Sequence, residues 1–372
     1  MSAGSRPRLL VVTPDFPPAL GGIQLVAARV VENLHRFESR VVAFDHPEAA
    51  SFDRSVSAAV TRTPRSSIPK VSNLRFNLVA LREARRFRPH LILSVHVAAS
   101  PATSVLQAAA RIPFVQYLHA DEIPASPWLS RLGITRAAEN IAVSGYTRQL
   151  AIDAGAEPER VHRIPPGIDL PGPPRASRSE RPIVLTLARL TDRYKGHDVI
   201  IEALPWIRAA VPDVRWVVVG DGPLRDELAE LARDRGVADC TLFTGSVSDT
   251  ERDEWLDRAH AFAMPSRLPP GGRGGEGFGI VYIEAGAHSL PVVAGNVAGA
   301  VDAVVDRETG LLVDPASPRA VADAVIELLL DRSKADALGR AGAARASDFA
   351  WPRIAARVED LLLGTLGSHS TG

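Results

Sequence analysis

The chain has 372 residues, 46% of them hydrophobic and 23% charged, which is typical of a globular protein with two domains of ordinary size. Lysine plus arginine and aspartate plus glutamate both number 43, so the net charge gives no support to a nucleic-acid partner. The single cysteine, Cys240, excludes a disulfide framework and a cysteine-based metal site and fits a reducing cytoplasm.

The beginning of the chain predicts a strand, a glycine pair and a helix. The apolar run Arg8–Val12 predicts a buried strand, too short for the core of a signal peptide. Gly21 and Gly22 follow, and a helix is predicted from Ile23 to about Arg36. This is the phosphate-binding geometry of the first turn in a doubly wound sheet. A tight turn that needs unusual dihedral angles explains the glycines equally well.

Strands and helices then alternate. Strand patterns cover Arg40–Phe44, Leu91–Val95, Phe114–Leu118, Asn140–Val143 and Val161–Ile164, and helical patterns cover Asn77–Phe87, Thr103–Arg111 and Thr147–Ala154. The alternation predicts a parallel sheet with helices on both faces. The longest uncharged stretch, Leu91–Ala110, contains several polar residues, which favours a strand, turn and helix over a membrane span.

The segment Leu170–Pro182 is rich in proline, glycine and charge and predicts a linker. After it the alternation resumes with strands Ile183–Ala188, Trp216–Val219, Thr241–Phe243, Ala261–Met264, Pro291–Val293 and Leu311–Val313, and helices His197–Ala210, Leu224–Arg235 and Arg319–Leu330. A last helix is predicted from Trp351 to about Leu363. We therefore expect a second sheet with its own core.

The segment Gly274–Ala285 predicts a glycine-rich loop that leads into a helix at Ile280. Unpaired N–H groups and the helix dipole favour a phosphate there. Glu276 lies in the loop and Glu284 about two turns into the helix, on the same side, where carboxylates suit the hydroxyls of a sugar or ribose. An ordinary glycine-rich turn with two solvated carboxylates remains the alternative.

Two cations follow the strand Ile183–Ala188, where ligands bind in α/β sheets. Arg189 offers a planar fork and Lys195 a point charge, so together they suit a diphosphate, although surface cations are common. Further strand ends carry turns at Gly220 and at Ser246-Val247, and such a rim suits a nucleotide base. Each turn alone is also explained by chain topology.

His119 directly follows the strand Phe114–Leu118. A histidine at this position could polarise or hydrogen-bond a sugar hydroxyl, and one that bonds within its own loop is the alternative. Asp121 and Glu122 follow it, but adjacent side chains point apart and do not make a metal site.

Taken in chain order, these strands, glycine-rich turns and charged residues resemble the retaining glycosyltransferases of family 4, which have the GT-B architecture. That architecture has two Rossmann-like domains facing across a cleft and a C-terminal helix that crosses back to the N-terminal domain. The likeness covers nearly the whole chain, and Pro166–Asp169 resembles the hinge motif of the family. The segments most similar to the actinobacterial phosphatidylinositol mannoside mannosyltransferases are Asp15–Pro18, Gly21–Gln24, Phe262–Ser266 and Gly275–Ala285.

The resemblance implies three parts: an N-terminal acceptor-side domain at residues 1–170, a nucleotide-sugar domain at 171–349 and a crossover helix at 350–372. The residues that it implies for nucleotide-sugar binding are Gly21, Gly22, Arg189, Lys195, Gly220, Ser246, Val247, Glu276, Phe278, Gly279, Ile280 and Glu284.

Each role comes from the family. Glu284 would bind the ribose, and Glu276 would hold the transferred sugar together with the backbone of Phe278 and Gly279. Arg189 and Lys195 grip the diphosphate, assisted by Gly22 of the other domain.

The remaining implied roles concern the base, the sugar and the acceptor. The turn Ser246-Val247 reads the base, His119 contacts the sugar beside the anomeric carbon, and Asp15 faces the acceptor. The implied catalytic set is His119, Glu276, Arg189 and Lys195.

The resemblance implies transfer of a hexose, with mannose from GDP-mannose favoured, to a hydroxyl of a glycolipid, polyol or glycoside. It implies retention by front-face attack, no cofactor and no metal, since Arg189 and Lys195 stabilise the leaving diphosphate. Three alternatives stay open: a UDP-sugar-dependent transferase of the family, a sugar-nucleotide epimerase on this architecture and a non-catalytic nucleotide-binding protein.

The expected partners are the nucleotide sugar and a hydroxyl acceptor, with a lipid-linked acceptor as one option. A basic run, Arg75, Arg82, Arg85, Arg86 and Arg88, surrounds one predicted helix. We expect a cytoplasmic protein, and this run either touches anionic lipid on the inner face of the membrane or forms a solvated helix face.

Overall fold

The computed structural model describes residues 6–19 and 21–370, so the predicted N-terminal segment Met1–Ser5 lies outside the described residues. Leu20, within the predicted phosphate-binding turn, and the last two residues of the predicted crossover segment also lie outside them. The chain divides into two compact units. One contains the chain up to Gly167 together with Trp351 onward, and the other is Ile168–Ala350.

The first unit is built on a seven-stranded parallel sheet of order β3-β2-β1-β4-β5-β6-β7. Its strands are β1 (Arg8–Val12), β2 (Glu38–Phe44), β3 (Ala59–Thr63), β4 (Leu91–Ser94), β5 (Phe114–Leu118), β6 (Glu139–Ala142) and β7 (Val161–Arg163). Its helices are α1 (Gly22–Asn33), α2 (Ala49–Asp53), α3 (Pro69–Phe87), α4 (Ser100–Ala110), α5 (Glu122–Ala125), α6 (Pro127–Arg136) and α7 (Gly145–Asp153).

The second unit is built on a six-stranded parallel sheet of order β10-β9-β8-β11-β12-β13. Its strands are β8 (Ile183–Leu187), β9 (Arg215–Val219), β10 (Thr241–Gly245), β11 (Ala261–Met264), β12 (Val292–Gly295) and β13 (Gly310–Val313). Its helices are α8 (His197–Ala210), α9 (Arg225–Asp234), α10 (Asp249–Arg258), α11 (Ile280–Ala287), α12 (Ala300–Ala303), α13 (Pro318–Leu330) and α14 (Arg332–Ala346).

Both sheets contain a topological switch point. The first three strands of each unit run outward in one direction, and the fourth returns beside the first, so β1 lies next to β4 and β8 next to β11. In open parallel sheets the crevice at the carboxyl ends of such a strand pair is where ligands bind. We therefore expect ligand-binding residues in the loops that follow these four strands.

The strands at the switch point of the second unit are fixed by a buried polar chain. The indole Nε1 of Trp216 donates to Thr186 Oγ1 at 2.9 Å, and that hydroxyl donates to the carbonyl of Ala263 at 2.6 Å. Each polar atom in this series of hydrogen bonds has a partner, as burial requires. The series links β9, β8 and β11 below the loops that follow them.

A last helix, α15 (Trp351–Ser370), belongs to the first unit and packs against α1. Its apolar stripe of Trp351, Ile354, Val358 and Leu362 is fully or almost fully buried. Beside this stripe, both carboxylate oxygens of Glu359 accept hydrogen bonds from Arg36, at 2.6 Å from its backbone nitrogen and 2.6 Å from Nε.

Seven elements were not predicted from the sequence: β3 and the helices α2, α5, α6, α10, α12 and α14. β3 is an edge strand whose Ala-Val-Thr-Arg-Thr sequence is only partly buried, so its apolar signal is weak. α14 carries several alanines and buries two glycines, Gly339 and Gly342, against neighbouring backbone. Such close packing of small residues has no apolar period to detect.

The predicted linker contains no helix or strand, yet it is fixed to the second unit. The carboxylate of Asp257 accepts hydrogen bonds from the backbone nitrogens of Arg175 at 2.6 Å and Ala176 at 3.3 Å. The N–H of Ser179 donates to the carbonyl of Arg258 at 3.0 Å. The segment is thus ordered by hydrogen bonds to α10 rather than being a flexible linker.

The buried His197 predicts acid sensitivity of the second unit. Burial, with a smaller effect of Lys195, lowers the pKa of His197 to about 4, whereas an unfolded histidine titrates near 6.5. The unfolded chain therefore binds more protons below pH ~6.5, so stability is full above that pH and falls towards pH 4. At pH 5 this effect amounts to about 2 kcal/mol.

In urea titrations, the free energy of unfolding should fall between pH 7.5 and pH 5. We expect this fall to be about 2 kcal/mol smaller in the His197→Leu variant than in the wild type. Comparing each variant with itself removes any constant packing effect of the substitution. His35→Leu, at an exposed position, serves as the control and should keep the wild-type pH difference. An unchanged pH difference in His197→Leu would show that this histidine is not the acid-sensitive group.

Candidate active site

The glycine-rich loop of the second unit ends in a backbone conformation that only glycine adopts readily. Gly279 caps α11 at φ 87°, and a Cβ there would lie 2.3 Å from the ring of Tyr282. That ring is buried, and its hydroxyl donates to the carbonyl of Met264 at 2.7 Å. The first N–H groups of α11, beginning at Ile280, have no partner within the helix and are available to an anion.

An ion pair crosses the switch point of the second unit. Lys195 Nζ lies 2.6 Å from Glu276 Oε2, and both side chains are largely buried. Lys195 comes from the loop after β8 and Glu276 from the loop after β11, so the structure brings together two of the predicted site residues. Gly196 lets these loops approach, since a Cβ there, at φ 81°, would lie 2.4 Å from the carbonyl oxygen of Pro265.

A second glycine that the sequence analysis missed supports the same loop. The N–H of Gly299 donates to the carbonyl of Glu276 at 2.9 Å. A Cβ on Gly299 would lie 2.0 Å from the carbonyl oxygen of Gly277, so no larger residue fits. Gly299 lies in the connection from β12 to α12, outside the recognisable motif, and its sequence neighbourhood gives no separate signal.

Glu284 lies in α11 as predicted, and its surroundings hold both signs of charge. Burial is the main cause that raises the pKa of this carboxyl, and Arg252 of α10 opposes the rise. Asp253, Asp169 and His288 act on it more weakly. A half-buried carboxylate with a raised pKa is typical of a functional position.

The other loop residues of the second unit have different settings. Phe278 is buried and its ring packs 5.6 Å from that of Phe349, so its side chain anchors the loop and leaves only its backbone to a ligand. Arg189 is exposed directly after β8, and its guanidinium makes no hydrogen bond or ion pair with the rest of the described chain.

The strand-end turns meet at one edge of the sheet. The N–H of Gly220 donates to the carbonyl of Gly245 at 3.0 Å, and a Cβ on Gly220 would lie 2.1 Å from the carbonyl oxygen of Ala188. The loops after β8, β9 and β10 are therefore in direct contact. Ser246 and Val247 continue this edge, with Ser246 exposed and Val247 partly buried.

In the first unit, Asp15 follows β1 and is held by the helix that begins after the glycine pair. Its Oδ1 accepts a hydrogen bond from Gln24 Nε2 at 3.0 Å. Gly21 is the residue before α1, its carbonyl accepts the N–H of Leu25 at 3.0 Å, and Gly22 is the first residue of the helix. The glycine pair therefore determines where α1 begins, and so the position from which the side chain of Gln24 reaches Asp15.

His119 is partly buried and directly follows β5. Its ring stacks on Tyr117 with centroids 5.4 Å apart, and burial together with the charge of His96 lowers its pKa to about 3. The ring is therefore neutral at neutral pH. It hydrogen-bonds the backbone of Val95, while its Nε2 has no hydrogen-bond partner among the described residues. This buried nitrogen suits a hydrogen bond from a ligand hydroxyl better than proton donation.

Two further polar residues at the first switch point were not proposed from the sequence. The buried carboxylate of Glu122 accepts the N–H groups of Val97 and His119, each at 2.8 Å. His96 follows β4, with its Nδ1 3.3 Å from Glu122 Oε2 and its Nε2 4.0 Å from Asp15 Oδ2. The position of His96 directly after a strand was the available signal.

Metal ligands and membrane spans were both sought in the described chain. Over residues 6–19 and 21–370, no group of three or more His, Cys, Asp or Glu side chains is arranged to hold a metal ion. Within the same residues, no helix is sufficiently long and apolar to cross a membrane.

Comparison with known sequences gives two family matches and several relatives. Residues 20–171 match Glycosyltransferase Family 4, and residues 173–345 match Glycosyl transferases group 1. The GDP-mannose-dependent alpha-(1-6)-phosphatidylinositol monomannoside mannosyltransferase of Mycobacterium tuberculosis is 36% identical over 96% of this chain and 98% of its own length. The GDP-mannose-dependent monoacylated alpha-(1-6)-phosphatidylinositol monomannoside mannosyltransferase of Corynebacterium glutamicum is 30% identical over 95% of this chain and 97% of its own length.

Solved structures share the fold at lower identity. The Anabaena protein HepE in complex with UDP and glucose has a TM-score of 0.80 and 21% identity, covering 96% of this chain and 99% of its own. The sucrose-phosphate synthase of Thermosynechococcus elongatus has a TM-score of 0.81 and 20% identity, covering 98% of this chain and 100% of its own. The expected fold class, GT-B with two Rossmann-like domains, is confirmed.

The ion pair across the second switch point predicts opposite effects of its two partners on diphosphate binding. Glu276→Gln removes the negative charge that neutralises Lys195, so we expect pyrophosphate to bind several-fold more tightly. Lys195→Ala removes the cation and should weaken binding at least tenfold, or about 1.4 kcal/mol. Isothermal titration calorimetry with pyrophosphate measures both changes.

Arg193→Ala is the matched control, because this exposed cation of the same loop pairs with Glu227 instead. Its pyrophosphate affinity should stay within about twofold of the wild type, since surface ion pairs contribute little. Equal affinities of Glu276→Gln and wild type would show that the carboxylate does not control the charge of Lys195.

Proposed function

We propose that this chain, which belongs to glycosyltransferase family 4 and is a hexosyltransferase, transfers mannose from GDP-mannose to a hydroxyl of a phosphatidylinositol mannoside. One observation carries the proposal. Over almost the full length of both sequences, this chain is 36% identical to an enzyme whose name gives that donor and acceptor. The proposed reaction retains the configuration of the transferred sugar, as is general for the family.

The second unit is proposed to hold the donor. Arg189 and Lys195 stabilise the diphosphate, aided by the N–H groups at the start of α11, whose dipole favours negative charge. Glu284 accepts hydrogen bonds from the ribose hydroxyls. Glu276, fixed by Lys195 and by its contact with Gly299, accepts hydrogen bonds from the hydroxyls of the sugar.

The chemical step is proposed to follow the developing charge. The bond between the anomeric carbon and the diphosphate oxygen breaks, and negative charge accumulates on the leaving GDP, where the fixed cations and helix N-terminus stabilise it most. The acceptor oxygen bonds to the anomeric carbon from the face that GDP leaves, and its proton passes to the departing phosphate oxygen. No metal ion is assigned a role in this step.

The first unit is proposed to hold the acceptor. Asp15 accepts a hydrogen bond from an acceptor hydroxyl, with its other oxygen held by Gln24. His119 is neutral, so it contributes a hydrogen-bond acceptor for a sugar hydroxyl and no proton of its own.

A transfer assay tests the function. Purified protein is incubated with GDP-mannose, with or without phosphatidylinositol monomannoside in detergent micelles, and with EDTA in a parallel set. We expect mannosylated lipid and GDP only when both substrates are present, with EDTA having no effect. An epimerised sugar nucleotide formed without acceptor would instead indicate an epimerase, and loss of activity in EDTA would contradict metal independence.

Substitution of Glu284 tests the donor site. Glu284→Ala should weaken GDP binding about tenfold, since it removes an acceptor of charge-assisted hydrogen bonds worth about 1.5–3 kcal/mol. Calorimetry with GDP, UDP and ADP measures the affinity and the base preference together. Glu254→Ala, on the neighbouring α10 and paired with Arg258, is the control. Wild-type GDP affinity in Glu284→Ala would remove the ribose role.

The first unit also presents a surface that suits an anionic membrane. Its exposed large hydrophobic residues, over the described part of the unit, are Ile68, Val71, Leu74, Leu78, Val105 and Trp128. They lie on α3, α4 and α6 or directly before α3, and α4 packs against both of the other helices. The exposed cations on α3 are Lys70, Arg75, Arg82, Arg85 and Arg86. We call these two sets the basic-apolar face.

The basic-apolar face combines the two interactions that hold a protein on a membrane surface. Leu74 and Leu78 are more than half exposed and one helical turn apart, and Trp128 is 70% exposed. Lipid burial of such side chains is favourable, and each nearby lysine or arginine adds about 1 kcal/mol on an anionic surface. Peripheral membrane contact through this face fits an acceptor whose sugar is attached to a lipid.

Vesicle flotation tests the membrane proposal. We expect binding to phosphatidylcholine vesicles that contain phosphatidylinositol. Leu74→Gln/Leu78→Gln should bind at least about thirtyfold more weakly, because the two substitutions together remove ~2–4 kcal/mol of apolar burial. Leu330→Gln, equally exposed on the second unit, is the control and should bind like the wild type. Equal binding of all three proteins would contradict a role for the face.

A further inference from the structure

His96 belongs to the polar cluster at the switch point of the first unit, and the proposed function assigns it no role. His96 stands between two carboxylates, with its ring nitrogens 3.3 Å from Glu122 Oε2 and 4.0 Å from Asp15 Oδ2. Its side chain is about one-quarter exposed, as is that of Asp15, whereas that of Glu122 is buried. The ring therefore connects the buried interior of the cluster to its open side.

The tautomer of His96 follows from its backbone contact. Its Nδ1 accepts the N–H of Ala98 at 3.0 Å, in the first turn after β4. A nitrogen that accepts a hydrogen bond carries no proton, so the neutral ring has its proton on Nε2. This is the nitrogen that faces Asp15, so the positive edge of the ring is directed at the carboxylate.

Glu122 fixes the loops on which this geometry depends. Its carboxylate accepts the N–H of Val97, next to His96, and the N–H of His119. It thereby joins the loop after β4 to the loop after β5. Burial raises the pKa of Glu122, while His96 and the two backbone hydrogen bonds oppose the rise. His119 also lies close enough to His96 for the two rings to interact, and it stays neutral.

We propose that His96 is a positioning residue for the acceptor: its Nε2–H faces one oxygen of Asp15 while Gln24 donates to the other, and together they direct the carboxylate to an acceptor hydroxyl. The proposal rests on the acceptor role of Asp15 in the proposed function. It assigns to His96 an effect on acceptor binding and none on the diphosphate, whose proposed ligands lie in the second unit.

Two substitutions separate this role from a purely structural one. His96→Asn places an amide oxygen where Nδ1 lies, so it keeps the bond to Ala98 and loses the contact with Asp15. His96→Gln places an amide N–H near the position of Nε2, so it keeps the contact with Asp15. His46→Asn is the control, because His46 Nδ1 also accepts the N–H of the residue two positions on, Glu48, at an exposed turn.

We expect His96→Asn to raise the KM for phosphatidylinositol monomannoside about tenfold, with thermal stability and GDP affinity near wild type, and His96→Gln to recover most of the loss. In a double-mutant cycle, Asp15→Asn and His96→Asn should not add, since both remove one interaction. A wild-type acceptor KM in His96→Asn, or additive effects in the cycle, would overturn the proposal.

An NMR measurement at constant pH tests the contact independently of any transfer activity. Because Nε2–H of His96 faces the Asp15 carboxylate, the ¹⁵N chemical shift of Nε2 should change in Asp15→Asn. It should stay near the wild-type value in Glu32→Gln, which changes a carboxylate paired with Arg29 elsewhere in the first unit. An unchanged shift in Asp15→Asn would overturn the proposal even if transfer is observed. If the wild-type protein transfers no mannose but the shift changes, the proposed acceptor is wrong and the positioning contact stands.

Discussion

The site of the second unit depends on one constraint: a lysine and a glutamate from different loops must meet at the gap between two neighbouring strands. Lys195 and Glu276 come within 2.6 Å because their loops follow β8 and β11, the strand pair at which the sheet changes direction. Glycines permit the approach on both sides, Gly196 against Pro265 and Gly299 against Gly277. A low-dielectric setting strengthens the attraction within this pair, and the same setting would strengthen the attraction between Lys195 and a diphosphate.

The first unit repeats this arrangement with a different chemistry. At its own switch point it places carboxylates and imidazoles, Asp15, His96, Glu122 and His119, where the second unit offers cations and the start of a helix. Hydrogen-bond acceptors suit the hydroxyls of an acceptor glycoside, and cations suit the phosphates of a donor. In the proposed function, the same sheet order thus serves two binding tasks, which differ in the side chains at the ends of the strands.

The sequence predicted the structure well where an apolar pattern or a glycine motif reflects the packing. Buried parallel strands such as Arg8–Val12 and Phe114–Leu118 have the predicted bounds, because continuous apolar runs mark them. The loop with Glu276 and the helix from Ile280 were likewise visible as a change from glycine to helix formers. The long helix α14 was missed, since close packing of its glycines against other backbone leaves no apolar stripe.

Within the site, individual residues were predictable from the sequence but their contact partners were not. It placed Lys195 and Glu276 in the site without predicting that they pair with each other, because that contact spans 81 positions of the chain. His96 and Glu122 went unassigned for the same reason, since their roles arise from strand order. Asp15, His119 and the remaining assignments stay predictions until the variants are measured.

The position of α15 has a consequence for how the protein is made. This helix completes the core of the first unit, yet it is the last helix in the described chain, after all of the second unit. A ribosome therefore releases every strand of the second unit before the first has its full complement of packing partners. During synthesis, the surface of α1 that α15 later covers stays open to water or to chaperones, and the unit that starts first finishes last.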